Sequence, residues 1–333
     1  MKNAMMTVAE TAARIEAGAI LMIAGDESAL AQLPRGAWIG GTSVYFMTGS
    51  GGREDRQNLF VTELDAATAA ECRHVPSAEL PALAEGSAEF GATMILIPAF
   101  SEAHRRFALE GASYPGLFDR PLMGWISGVA LDEIGTKTPK VFDGATGQSH
   151  EDGAMLLRLS LPATKMADLD ILNLFAQDLA GPLIRFEADG FAAETAIVDG
   201  QTVRLADYVA AKGIDTRLPL VANYAGALIN VSFQSVDAET GRVQFYAPVV
   251  AGVDYRLATN PGPYAEVFAS RISGDGGAEL SCNCILNYLY GELEGKSTGS
   301  FTGPATFGEI AYILLNQTMV RLKLVAAEQA AAA

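Results

Sequence analysis

Short apolar runs recur along this chain between Gly-, Pro- and Asp-rich breaks, and only a few segments show helical spacing instead. Ile20–Ala24, Thr93–Ile97, Leu122–Ile126 and Met155–Leu161 are too short for ordinary helices and read as buried strands, with Leu59–Glu63 and Glu71–Val75 as further strands. Thr7-Val8-Ala9-Glu10 is a capping box: the Thr hydroxyl takes an orphan N–H and the Glu reaches back. Val8, Ala12 and Ile15 then follow at helical steps to about Glu16. Helices are also expected over Glu79–Phe90, Glu102–Leu109, Leu205–Lys212 closed by Gly213, and Pro263–Ile272 with Pro at its start. Leu228–Val236 and Val243–Val250 predict a hairpin about Asp237–Gly241. Trp38–Ile39 and Val44–Met47 flank a Gly40-Gly41-Thr42-Ser43 turn, and Gly49–Gly52, next to Arg53 and Arg56, reads as a flexible polar loop.

Helices and strands alternate without a strict βαβ rhythm. That favours an α+β fold of two associated α/β halves with mixed, largely antiparallel sheets over a doubly wound parallel sheet. The halves expected are 1–162 and 167–325, joined by a Pro162–Ala167 linker. A Gly274–Gly277 break precedes the last two apolar runs, and 326–333 reads as a disordered tail.

With 50% apolar and 19% charged residues, the 333-residue chain can bury a sizeable core. Its formal charge of −16 opposes binding to phosphate backbones and anionic lipid, so roles on nucleic acid or a membrane surface are not expected. Three cysteines, Cys72, Cys282 and Cys284, do not make a disulfide framework and suit a reducing cytoplasm. The first apolar run, Ala19–Ala24, is far short of the roughly 20 residues of a membrane span.

The sharpest chemical feature is Cys282-Asn283-Cys284. On a strand both thiols would share one face, where they either pack as small hydrophobes, line a pocket, or do redox or metal chemistry. Gly308-Glu309 sets an isolated carboxylate between Phe307 and Ile310, facing solvent or a polar pocket. Gly291–Ser297 fails as a phosphate loop, with three residues between its glycines where four are needed. His74, His104 and His150 are scattered, and no metal set can be assembled from them. Arg35, Arg53 and Arg56 are ordinary surface charges or a clamp for an anion.

The order Ser281-Cys-Asn283, Phe307-Gly-Glu-Ile310, Leu315-Asn-Gln-Thr318 resembles the C-terminal half of the FIST family of signal-transduction sensory domains. Gly40–Ser43, Lys140–Gly144, Asp152–Leu157 and Ile197–Gly200 extend the resemblance over most of the chain. One departure is Cys284-Ile285-Leu286, where many FIST proteins carry an Arg shortly after the cysteine matching Cys282. The resemblance implies a free-standing cytoplasmic sensor that binds a small molecule and signals to a partner protein. Its ligand would sit in a cavity formed by Gly40, Gly41, Thr42, Ser43, Cys282, Asn283, Cys284, Gly308 and Glu309, with the carboxyl of Glu309 raised in pKa unless a cation answers it. The alternatives are an enzyme with Cys282 or Cys284 as nucleophile, and a haem-based nitric oxide sensor with His74 as iron ligand.

Overall fold

Every residue of the strand Leu21–Gly25 is buried, and its alternate side chains enter different cores. Leu21 and Ile23 pack beneath helices α1 (Val8–Glu16) and α2 (Glu27–Leu30), while Met22 and Ala24 face inward. Gly91–Pro98 repeats the division: Met94 and Leu96 point inward, Ile95 and Ile97 outward beneath α3 (Glu102–Glu110). Period-two alternation of apolar side chains thus yields a layered helix–sheet–sheet–helix arrangement. The structure, a computed structural model, describes residues 1–224, 226–271 and 280–327. The expected Gly274–Gly277 loop, the last residue of the Pro263–Ile272 helix and residues 328–333 of the expected tail lie outside them.

Three six-stranded sheets share the central core. The first runs Lys2–Met6, Leu59–Glu63, Leu21–Gly25, Trp38–Thr42, Val141–Asp143, Gln148–His150. In the second the order is Ile313–Leu315, Glu309–Ala311, Leu122–Ser127, Gly91–Pro98, Ala154–Ser160, Ala69–Val75. The third runs Lys165–Asn173, Thr318–Ala326, Leu280–Cys284, Gly303–Thr306, Tyr45–Thr48, Gly51–Glu54. Each has one parallel pair in an otherwise antiparallel ladder, so the fold is α+β with mixed, largely antiparallel sheets. The cut at 162–167 does not fall between sheets. Glu309–Leu315 completes a sheet built from the first half, and Tyr45–Glu54 completes one built from the second. Residues 184–257 add a smaller β unit of two sheets with its own core around Phe186, Phe233, Phe245 and Tyr255, covered by α4 (Leu205–Lys212). Gly213 closes α4 at φ +58, as its sequence implied.

Several local expectations are corrected. Gly40–Thr42 is strand rather than turn, because Gly40 and Gly41 pair with Phe142 and Val141. Gly51–Glu54 is a strand rather than a loop: a Cβ on Gly52 would stand 2.4 Å from the Leu293 carbonyl oxygen. Pro81 limits the expected Glu79–Phe90 helix to a 3-10 turn, Ser77–Ala82. Phe233–Val236 pairs with Val243–Val249 as foreseen, but Ala227–Val231 turns to pair with Leu220–Tyr224. The linker is short, since Lys165 already begins a strand; Ala326 and Ala327 are ordered, the latter donating to Thr164 O. Helix α5 is Tyr264–Arg271, and α6, Ile285–Tyr290, follows directly on Cys284 where a strand end was expected.

Candidate functional site

Glu309 lies opposite Trp125 in the second sheet, and opposed residues of an antiparallel pair share a face, so its carboxyl turns inward toward the third sheet. It is 0% exposed. Thr318 donates to Oε2 from its backbone N–H at 3.3 Å and its hydroxyl at 2.8 Å, and the Thr306 hydroxyl is 3.5 Å from Oε1. No ion pair reaches it among the described residues. Burial pushes its pKa up to about 8, against the downward pull of Thr318, Cys284 and Thr306. The raised acid without a cation is what the sequence implied.

Cys282 points into the central core with its thiol 3.5 Å from the Gly124 carbonyl oxygen. Cys284 stands at the N-cap of α6 and packs with Val44, Tyr45 and Leu286, and its thiol, like that of Cys282, lies beside the Glu309 carboxyl. Burial first, then the nearby Glu309, drives both well above the ordinary thiol range. Asn283 accepts from Asn287 Nδ2 at 3.1 Å, and that amide also donates to Thr318 O. Gly41 faces inward, where a Cβ would stand 3.1 Å from Trp125 Nε1. Thr42 takes the Lys140 N–H on its hydroxyl, Ser43 donates to Ala305 O at 2.9 Å, and Gly308 O accepts from Ile126 N. The fold therefore gathers Gly41, Thr42, Ser43, Cys282, Asn283, Cys284, Gly308 and Glu309 near one another. Gly40 does not join them: it faces Trp38 and Leu30 under α2. All are buried, and Thr42 and Ser43 also line a small pocket with Asp26, Gly128, Val129 and Lys137.

The Leu315–Thr318 motif continues that interior outward. Asn316 Oδ1 accepts from Ser232 N and lies 2.5 Å from Ser232 Oγ, while its Nδ2 donates to Asn230 O. Asn230 Nδ2 in turn donates to Asn173 and to the carbonyls of Asn316 and Gln317. Gln317, at φ +49 and 1% exposed, donates from Nε2 to Arg217 O at 2.9 Å and to the Tyr264 hydroxyl at 3.4 Å. Tyr264 belongs to the wall of a cavity of about 340 Å³, which also takes in Arg217, Leu218, Tyr290, Gly291 and Lys296. Arg217 pairs with Asp215 at 2.7 Å and Lys296 with Glu292 at 3.6 Å on its rim. A continuous path thus runs from the cavity wall at Tyr264 through Gln317 and Thr318 to Glu309.

Comparison with known proteins adds one result: residues 6–325 match a family model described as a family of unknown function (DUF6976). The chain belongs to the DUF6976 family. No curated protein matches it. The match takes in both the Glu309 interior and the 340 Å³ cavity of this DUF6976 protein.

Other candidate groups are otherwise engaged. Arg53 pairs with Asp55, and Arg56 with Glu54, Asp132 and Glu133, which leaves no open anion clamp there. The histidines are not scattered in space: His74 and His150 stack, and His104 is buried against Phe191. No cluster of three metal-ligating side chains occurs among the described residues, and no helix among them is long and apolar enough to cross a membrane. Sequence reading missed Asn173, Asn230 and Ser232, because lone polar residues in or between strands carry no periodic signal, and it missed Tyr264 and Tyr290, which stand at the start of α5 and the end of α6. The Gly291–Ser297 segment, rejected as a phosphate loop, does supply Gly291, Glu292 and Lys296 to the cavity.

Proposed function

We propose that this DUF6976 protein is a small-ligand-binding sensory protein of the FIST type. Its ligand would enter the cavity lined by Arg217, Tyr264, Tyr290 and Lys296, and a separate protein would read its state. The observation that carries this reading is the path from cavity wall to buried acid, in which the Tyr264 hydroxyl meets Gln317 and the next residue holds Glu309. A volume of about 340 Å³, two phenols and both signs of charge suit a small polar molecule with one apolar face. A ligand that moves Tyr264 pulls on a residue held in the left-handed region, and through it on Thr318 and Glu309. A cytoplasmic location is part of the proposal, supported by the three free thiols. The cysteine-enzyme alternative draws no support from thiols that burial keeps protonated. Nor does the haem alternative, since His74 Nε2 is 2.9 Å from the Asp152 carbonyl oxygen and one ring face is covered by His150.

Native mass spectrometry of the protein from its own host tests this. A retained small molecule is expected, with occupancy at least tenfold lower in Asn260→Trp, which fills the cavity from its exposed rim. A retained molecule indifferent to that substitution, or none at all, would reject the cavity as the ligand site.

A further inference from the structure

His74 and His150 lie face to face, with ring centroids 3.7 Å apart and planes 7° from parallel. His74 stands on Ala69–Val75, the edge strand of the second sheet, and His150 on Gln148–His150, the edge strand of the first. Their register partners, Met155 and Val141, belong to the central core, so the stack closes the rim of that core where the two edges meet. The 2.9 Å contact of His74 Nε2 with the Asp152 carbonyl oxygen makes that nitrogen the donor in the neutral ring. His150 Nε2 is buried and has no partner. Gly153, at φ +88, lets the backbone approach so closely that a Cβ there would stand 2.3 Å from His74 Nε2.

The titratable groups facing the stack are Cys72 on the strand of His74, Asp143 on the strand beside His150, and Glu151 and Asp152 on the turn that follows it. None neutralises a ring directly. Asp143 is held by the N–H groups of Ala145 and Thr146 and the Thr146 hydroxyl, and Asp152 by the Ala103 N–H. Glu151 pairs with Lys140 at 3.3 Å. Two neutral imidazoles stack comfortably at this distance. A proton on each sets like charges in contact, and one on His150 Nε2 creates a buried donor with no acceptor. Burial and the neighbouring His74 already hold His150 below the usual imidazole range, with Asp143 acting weakly the other way.

We propose that the His74–His150 stack is a pH-operated clasp between the two sheet edges. It is closed while the rings are neutral and released when both take up protons, parting Ala69–Val75 from Gln148–His150 and opening that rim of the core. Release belongs on the acid side of neutrality, since burial and the neighbouring ring hold His150 below the usual imidazole range.

Hydrogen–deuterium exchange of residues 69–75 and 148–155 at pH 7.5 and 5.5, normalised for the intrinsic rate, tests the clasp. The opening constant is expected to rise at least tenfold at pH 5.5, and less than twofold in His74→Phe and His150→Phe, which keep a ring but cannot charge. An equal rise in both variants would assign the acid response to other groups and overturn the proposal, as would no rise in the unaltered protein. Should the variants fail to fold, imidazole NMR titration of the unaltered protein decides: a coupled two-step curve with amide shifts along both edges supports the clasp, and two independent single-step curves without them overturn it.

Discussion

Thr318 turns its backbone N–H and its hydroxyl onto the same oxygen of Glu309, at 3.3 and 2.8 Å. That leaves the other oxygen, near the Thr306 hydroxyl, to carry the proton of a neutral acid. The residue before Thr318 reaches the cavity and the one before that anchors the smaller β unit, so three successive side chains serve three different neighbours.

Glu309 is expected to make the protein less stable in alkali. Its folded pKa, about 8, lies above the unfolded 4.5, so its contribution is fully present below about pH 4.5 and is lost as pH rises through 8. The loss amounts to roughly 5 kcal/mol if the group stays buried when charged. Glu309→Gln, which can keep the Thr318 bonds, should flatten that slope in urea unfolding measured between pH 5 and 9. An unchanged slope would mean that Glu309 is already ionised in the folded protein.

His104 is expected to act in the opposite direction. Burial lowers its pKa to about 4, and its Nδ1 accepts from Phe100 N. Stability linked to it is therefore lost as pH falls from about 6.5 toward 4, by roughly 3 kcal/mol. His104→Leu should remove close to one proton from the acid-unfolding slope, measured by denaturant titration across that range, while costing some stability at pH 7.

The thiols are expected to be inert in the folded chain. Cys282 and Cys284 are buried and raised well above the ordinary range, and burial pushes Cys72 up to about 12. At pH 8, Ellman's reagent should find none of the three within minutes without denaturant and all three in guanidinium. Fast labelling of Cys284 in the native protein would reveal access to the interior acid that the packing does not allow.

Asn316 should tolerate replacement badly. Asn316→Ala strands the Ser232 N–H and the Asn230 carbonyl inside the protein, at a cost of about 2–4 kcal/mol. Thermal unfolding should show the loss, whereas Asn260→Ala on the exposed cavity rim should leave stability nearly unchanged.

Much of the scaffold was legible because burial imposes a pattern. Leu21–Gly25, Gly91–Pro98 and Ala154–Ser160 are apolar on both faces, and the Thr7–Glu10 capping box forms as its spacing dictates. What misled was glycine. Gly40-Gly41 and Gly51-Gly52 look like breaks, yet they are strand positions where neighbouring groups leave little or no room for a side chain. Of the candidate site, the Cys-x-Cys, Gly-Glu and Asn-Gln-Thr segments did converge, but whether they open to solvent depends on packing between sheets that no local pattern encodes. The His74–His150 contact was invisible for the same reason: 76 positions separate the two residues, and only the juxtaposed sheet edges bring them together.

The exchange of strands across the middle of the chain bears on how the protein assembles. Leu122–Ser127 cannot gain its second hydrogen-bonded neighbour until Glu309–Ala311 arrives, nor can Gly303–Thr306 close its ladder without Tyr45–Thr48. These pairings span most of the sequence, so loop-closure entropy must be met before they contribute, and folding should be slow and all-or-none. Neither half, expressed alone, would be a smaller version of the whole. Each would carry a bare apolar edge that only the other half can cover.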